Sequence, residues 1–331
     1  MAPSAKWQRV QAALEGGVAD RPPFAFWMHF PHLDRDPREL ARATVDLYRR
    51  YHMDFIKVMF RSSWGVEDWG CVFDRYHPTR GYWIAATYAV RSPEDWRRLR
   101  PLDPRQGALG EQLQVLRMVR EAVGDEAPIL ATLFAPSMLA AHLAGQETFV
   151  QHLRQAPEAV EAGLRTISAT LQDFARACLE NGADGIFYAT QLASRRVLAD
   201  EEYRHLGRTF DRPVLESFHP RSRFTMLHIH GEQLMFDEVS RYPAHALNWY
   251  DRNGCPSLGE ARASVQTCLA GGIDHERTLM LGLPQEVAAE VRAAVAELGG
   301  RGLMLAPGCG VPCTVPGESL RALAAAATGE L

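Results

Sequence analysis

Eight short apolar runs, each about the length of a strand, alternate along the chain with longer stretches of helical periodicity. The runs are Phe24–Met28, Asp54–Met59, Ile129–Phe134, Asp184–Ala189, Thr225–His230, His245–Asn248, Cys268–Gly272 and Gly302–Ala306. Strands separated by helices pair in parallel, and eight such units predict a (β/α)8 TIM-type barrel over residues 1–331 as a single domain. A doubly wound open sheet is the rival. The clearest helix carries Val160, Leu164, Ile167, Leu171, Phe174 and Cys178 at three-to-four spacing. Pro157 opens it and Asn181-Gly182 closes it. Further helices are expected at Pro37–His52, Gly107–Val123, Pro284–Leu298 and Gly317–Ala327. The stretch Ser62–Leu109, rich in Trp, Tyr, Arg and Pro, reads as an elaborated loop with short helices at the barrel mouth.

Composition narrows the function classes. The 331 residues are 47% hydrophobic and 23% charged, with a net charge of −4, and no block of like charges marks a nucleic-acid or membrane surface. No apolar stretch reaches the roughly 18 residues of a membrane helix. Met1 to Trp7 lacks a signal-peptide plan, so a cytoplasmic protein with reduced thiols is expected. Cys178 and Cys268 read as small core residues.

Two motifs carry ligand chemistry. His228-Ile229-His230-Gly231 ends one strand-sized run, and Gly308-Cys309-Gly310 follows another. In a parallel barrel the C-terminal ends of both runs meet at one mouth. His228 and His230 alternate along the strand and so point the same way. Two imidazoles and a thiolate are a ligand set for Zn²⁺ with an open fourth position, the pattern of a catalytic site. The alternatives are hydrogen-bonded histidines without metal, and a buried turn thiol. Cys313 is a substitute ligand ranked below Cys309.

His29 follows the first run and should face the mouth, as a fourth ligand, a general base or a hydrogen-bonded polar residue. Asn248 and Trp249 follow the sixth run as candidate pocket walls. Asp274 is a candidate for orienting a ligating imidazole. Asp54 and Lys57 flank the second run and read best as a structural ion pair or a capped strand end. Trp64, Trp69, Tyr76, Tyr82 and Trp83 read as lid packing, with an aromatic box for a methylated cation as the alternative.

Several segments, in order, resemble the uroporphyrinogen decarboxylase superfamily, which holds both the decarboxylase and zinc-dependent, corrinoid-linked methyltransferases. They are Arg21-Pro22-Pro23 with Phe26-Trp27-Met28-His29, Asp54 to Val58, Asn181 to Gly185, Leu227 to Gly231, Gly271 to Asp274, and Ala306 to Pro312 with Pro316 to Leu320. The resemblance implies a barrel fold, often dimeric. It also implies substrate contacts near Trp27 and around Tyr188, Thr190 and Gln191, with His29 and Tyr188 as candidate catalytic groups.

The chain departs from the decarboxylase pattern. Met28 to His32 lacks the arginines that bind substrate carboxylates there, Val58 to Ser62 lacks the aspartate, and Cys309 stands where the decarboxylase has histidine. The methyltransferase pattern, His-x-Cys plus a later Cys, is nearer, with His230 replacing one thiolate. That branch implies methyl transfer between a small thiol or methylated substrate and a corrinoid. No Asp-x-His-x-x-Gly cobalamin motif is present, so the corrinoid would arrive on a partner protein. A decarboxylase-like lyase and a non-catalytic ligand-binding barrel are the alternative functions.

Overall fold

The computed structural model describes residues 3–253 and 256–330; Cys255 lies outside them. Seven strands pair in parallel: β1 (Ile56–Val58), β4 (Ile129–Phe134), β5 (Gly185–Thr190), β6 (Met226–Ile229), β7 (Ala246–Trp249), β8 (Cys268–Ile273) and β9 (Leu303–Pro307), in that spatial order. Two further strands, β2 (Val72–Tyr76) and β3 (Trp83–Thr87), form a separate antiparallel hairpin. The stretch expected to be loop with short helices thus contains a hairpin. Its strands are short and half exposed; Val72–Tyr76 carries no apolar run, and the run Trp83–Ala86 lies inside a stretch whose Trp and Tyr residues read as lid packing.

The segment Phe24–Met28, expected as a first strand, makes no continuous ladder. It forms two isolated parallel bridges, Phe24 to Leu305 and Met28 to Val311. On its other side the Asp54 N–H donates to the Phe24 carbonyl at 2.8 Å. These five residues therefore bond to both edges of the seven-stranded sheet, β9 and the approach to β1. Pro22 and Pro23 remove two backbone donors just before the segment, which limits how far a ladder can extend.

Register fixes which side chains face inward. His228 pairs with Ala189 on one side and Asn248 on the other, while Ile229 pairs with Thr190 and Trp249. In a parallel ladder paired residues share a face, so His228, Ala189 and Asn248 form one set and Tyr188, Thr190 and Trp249 the other. Lys57 pairs with Leu130, two residues before the inward Thr132. The outward set meets the helices. Pro157–Glu180 buries Val160, Leu164, Ile167, Leu171, Phe174 and Cys178, as its periodicity required, with Asn181 as its C-cap. The fully buried Tyr188 packs edge-on against Phe218. No described helix is long and apolar enough to cross a membrane.

Asp54 ties the N-terminal segment to β1. Its fully buried carboxylate accepts from Arg9 at 3.0 Å, from both terminal nitrogens of Arg21 at 2.6 and 3.1 Å, and from the Phe24 N–H at 2.9 Å. The structural ion pair foreseen for Asp54 is present, but its partners are two arginines and not Lys57. Removing one member of a buried pair strands the rest, so Asp54→Ala should cost about 3 kcal/mol in urea unfolding. A loss below about 1 kcal/mol would show that the network adds little.

Candidate metal centre

His228 leaves β6 pointing into a cavity of about 550 Å³. Its Nδ1 lies 2.7 Å from Asn248 Oδ1. The Asn248 amide nitrogen is already used, donating to the carbonyls of Ala270 at 2.9 Å and Pro307 at 3.0 Å. Asn248 Oδ1 must therefore accept, which puts the proton on His228 Nδ1 and leaves a lone pair on Nε2. That Nε2 is buried and has no hydrogen-bond partner among the described residues. A buried, unpartnered nitrogen lone pair held at a fixed angle is what a metal ligand requires.

The other two donors converge on it. His230 follows β6, its N–H held by the Thr190 carbonyl at 2.8 Å. Cys309 follows β9, with Sγ 3.5 Å from His230 Nδ1. One ligand atom from each of His228, His230 and Cys309 lies within 4.8 Å of the others. Bonds of about 2.0–2.3 Å to a shared zinc need donors of this kind only slightly closer together. The donor set and its spacing fit zinc.

Gly308 makes the approach of Cys309 feasible. A Cβ there would lie 3.0 Å from the Trp249 carbonyl and 3.1 Å from Tyr250 Cα, so any side chain would push the end of β9 a few tenths of an ångström from the end of β7. The reason is space, not backbone handedness. Burial opposes ionisation of Cys309, but the neighbouring imidazoles of His230 and His228 outweigh it and hold the thiol well below its ordinary range.

The remaining wall is aromatic and cationic. Phe187 stacks on His228 with ring centroids 5.3 Å apart, and Trp27 meets Phe187 edge-on at 5.1 Å. His29 lines the cavity with an unpartnered Nδ1; burial, then Lys57, push it down to about 3, so it stays neutral. Gln191 lines the cavity near His142, which burial pushes down to about 4. The Tyr250 hydroxyl sits 3.3 Å from His230 Nδ1, and His275 packs on the Tyr250 ring at 4.9 Å.

These observations match one family across nearly the whole chain: the uroporphyrinogen decarboxylase (URO-D) family, over residues 6–329. The chain belongs to that family. Among its relatives are two methylcobamide:CoM methyltransferases. MtbA of Methanosarcina acetivorans is 26% identical, covering 90% of this chain and 85% of that protein. MtaA of Methanosarcina barkeri is 24% identical, covering 96% of each. A solved methyltransferase from Methanosarcina mazei shares the fold, with a TM-score of 0.83 at 22% identity over 99% of both chains.

Within this URO-D chain several expected site residues lie elsewhere. Tyr188 does not reach the cavity; its hydroxyl donates to the Asp211 carbonyl at 2.7 Å on the outer face of the sheet. Trp249 also faces outward, with Nε1 donating to the Pro256 carbonyl at 2.7 Å and its ring against Phe236. Asn248 faces inward but is fully buried and orients His228, without lining the cavity. Asp274 accepts from the N–H groups of Glu276 and Arg277 at 2.9 Å each, capping a turn and not an imidazole. Cys313 is bound to the Thr79 carbonyl at 3.0 Å and is not part of the ligand group.

The loop aromatics do not form one box. Trp64 is buried against Phe174 and Phe134, Trp69 donates to the Arg100 carbonyl, and Tyr76 meets His32. Only Tyr82 and Trp83 of the five line the cavity, and Arg35 already stacks on Trp83 at 4.0 Å.

Lys57, Phe187, Tyr250 and His275 were not foreseen. Strand parity was the available signal: Phe187 shares its face with His228, and Lys57 shares its face with Thr132.

Two outcomes follow from this geometry. Asn248→Ala should weaken zinc binding by about 10–100-fold, measured by competition with a chromophoric chelator, while the fold persists. Lys57 is buried and pushed down to about 7 by that burial, with Cys309 opposing. Its charged form is therefore the destabilising one in the folded chain. In chelator-treated protein, Lys57→Met should raise the melting temperature. The gain should be largest below pH 7 and should shrink as pH rises from about 7 towards 10. A gain independent of pH would refute the assignment of a charged lysine at this site.

Proposed function

We propose that this chain is a zinc-dependent, corrinoid-linked methyltransferase or demethylase. The single observation that carries the reading is the buried Nε2 of His228, unpartnered and fixed by Asn248, beside His230 and the acidified thiol of Cys309. The family relationship and the methylcobamide:CoM methyltransferases among the relatives support it. In this reading Phe24–Met28 closes the sheet into a (β/α)8 barrel, supported by its bonds to both sheet edges.

His228, His230 and Cys309 would hold the zinc, which, when bound, lowers the pKa of a substrate thiol and so supplies a nucleophile at neutral pH. The chain's own groups do the rest. Asn248 holds His228 in one tautomer. The Tyr250 hydroxyl steadies His230, with His275 packed on the Tyr250 ring. Trp27, Gln191 and the neutral His29 wall the substrate. The methyl group passes between the small substrate and a corrinoid on a partner protein, and the thiol proton leaves to water.

The decarboxylase reading finds little support in the cavity charges. Arg80 is engaged by Glu276, which leaves Lys57 as the one cavity-lining Lys or Arg without an acidic partner among the described residues. A substrate with many carboxylates needs several fixed cations.

Elemental analysis should find about one zinc per chain, lost in Cys309→Ser and in His228→Ala. With methylcobalamin and a small thiol, wild type should consume the methylated corrinoid, seen by absorbance, and both variants should be slower by roughly 100-fold or more. A folded wild type without zinc overturns the metal reading. Stoichiometric zinc without turnover of any methylated corrinoid or methylated small molecule overturns the transferase reading.

A further inference from the structure

Lys57 is 6% exposed and lines the cavity. Its ammonium sits 4.6 Å from the Phe187 ring centroid and 5.8 Å from that of Trp27. Its one hydrogen-bond acceptor is the thioether of Met59, a weak one. Among the described residues no carboxylate pairs with it. Glu276, the only carboxylate lining the cavity among the described residues, is taken by Arg80, whose side chain is 48% exposed. Cys309 attracts the ammonium but forms no hydrogen bond with it, and its sulfur belongs to the ligand group.

A buried ammonium that no carboxylate pairs with is costly, ring faces compensate only part of that cost, and the amine sheds its proton more readily as a result. The cavity, which Lys57 lines, is open to an anion that would pair with it and hold it charged. Phe187 touches both groups: the Lys57 ammonium lies 4.6 Å from its ring centroid and the His228 ring stacks on it at 5.3 Å.

We propose that Lys57 is a specificity-determining residue that seats an anionic group, carboxylate or sulfonate, of the small substrate, while the substrate's reacting end lies at His228, His230 and Cys309. The substrate is then a short molecule, since Lys57 and His228 both contact the one ring of Phe187. The same cation disfavours ligands carrying only positive charge, such as simple methylated amines. The placement of the reacting end rests on the proposed function; the anion seat does not.

The test separates the two. On chelator-treated protein, propionate and ethanesulfonate are titrated against propionamide and propylamine by calorimetry. On zinc-loaded protein, 3-mercaptopropionate is compared with 2-mercaptoethanol and cysteamine. Wild type should favour the anionic member of each series by roughly tenfold or more. Lys57→Met should abolish that preference and keep the zinc content of wild type. The ranking of carboxylate over sulfonate, or the reverse, identifies the group the seat takes. Absence of charge preference in wild type, or its survival in Lys57→Met, overturns the proposal. Failure to load zinc, with the propionate preference intact, would refute the metal reading alone.

Discussion

The carboxamide of Asn248 is the interaction on which the site depends. It sits inside the sheet, where every polar atom must find a partner. Its two N–H bonds reach the carbonyls of Ala270 and Pro307, and its oxygen holds His228 Nδ1. One side chain therefore spans β6, β7, β8 and β9 and decides which nitrogen of His228 faces the cavity. Reversing the amide would set two N–H donors against an imidazole and leave two carbonyls unsatisfied, so the tautomer is fixed by the sheet and not by the ligand.

Charge inside the cavity is sparse. The histidines around it, His29 and His142, are held neutral by burial. The thiol of Cys309 is the group that ionises, because two imidazoles face it. His230 stands where the methyltransferase pattern has a thiolate, which makes the ligand set less negative by one charge. Lys57 adds a cation nearby. The pocket as a whole is thus short of negative charge, and the substrate is the natural source of it. An enzyme accepts such local destabilisation where binding or chemistry needs it.

Seven of the eight expected strands, the long helix and the clustering of His228, His230 and Cys309 were legible in the sequence for a simple reason. Apolar runs report burial on both faces of a parallel strand, and three-to-four spacing reports one buried face of a helix. The hairpin Val72–Thr87 was not legible, since Val72–Tyr76 has no apolar run and Trp83–Ala86 read as part of an aromatic loop. Tyr188 and Trp249 were placed by proximity to a strand end. The pairing of Leu227 with Tyr188 and of Ile229 with Trp249 sends them to the helical face.

The sequence by itself determined the α/β class, the order of elements, the family, and the His228, His230 and Cys309 group, because those rest on local periodicity and on residue types rare enough to be informative. Only the tertiary structure decided the partners of Asp54, the tautomer of His228, and the isolation of Lys57 among rings. Each of these depends on register across strands far apart in the chain, and a shift of one residue reverses which face every side chain meets.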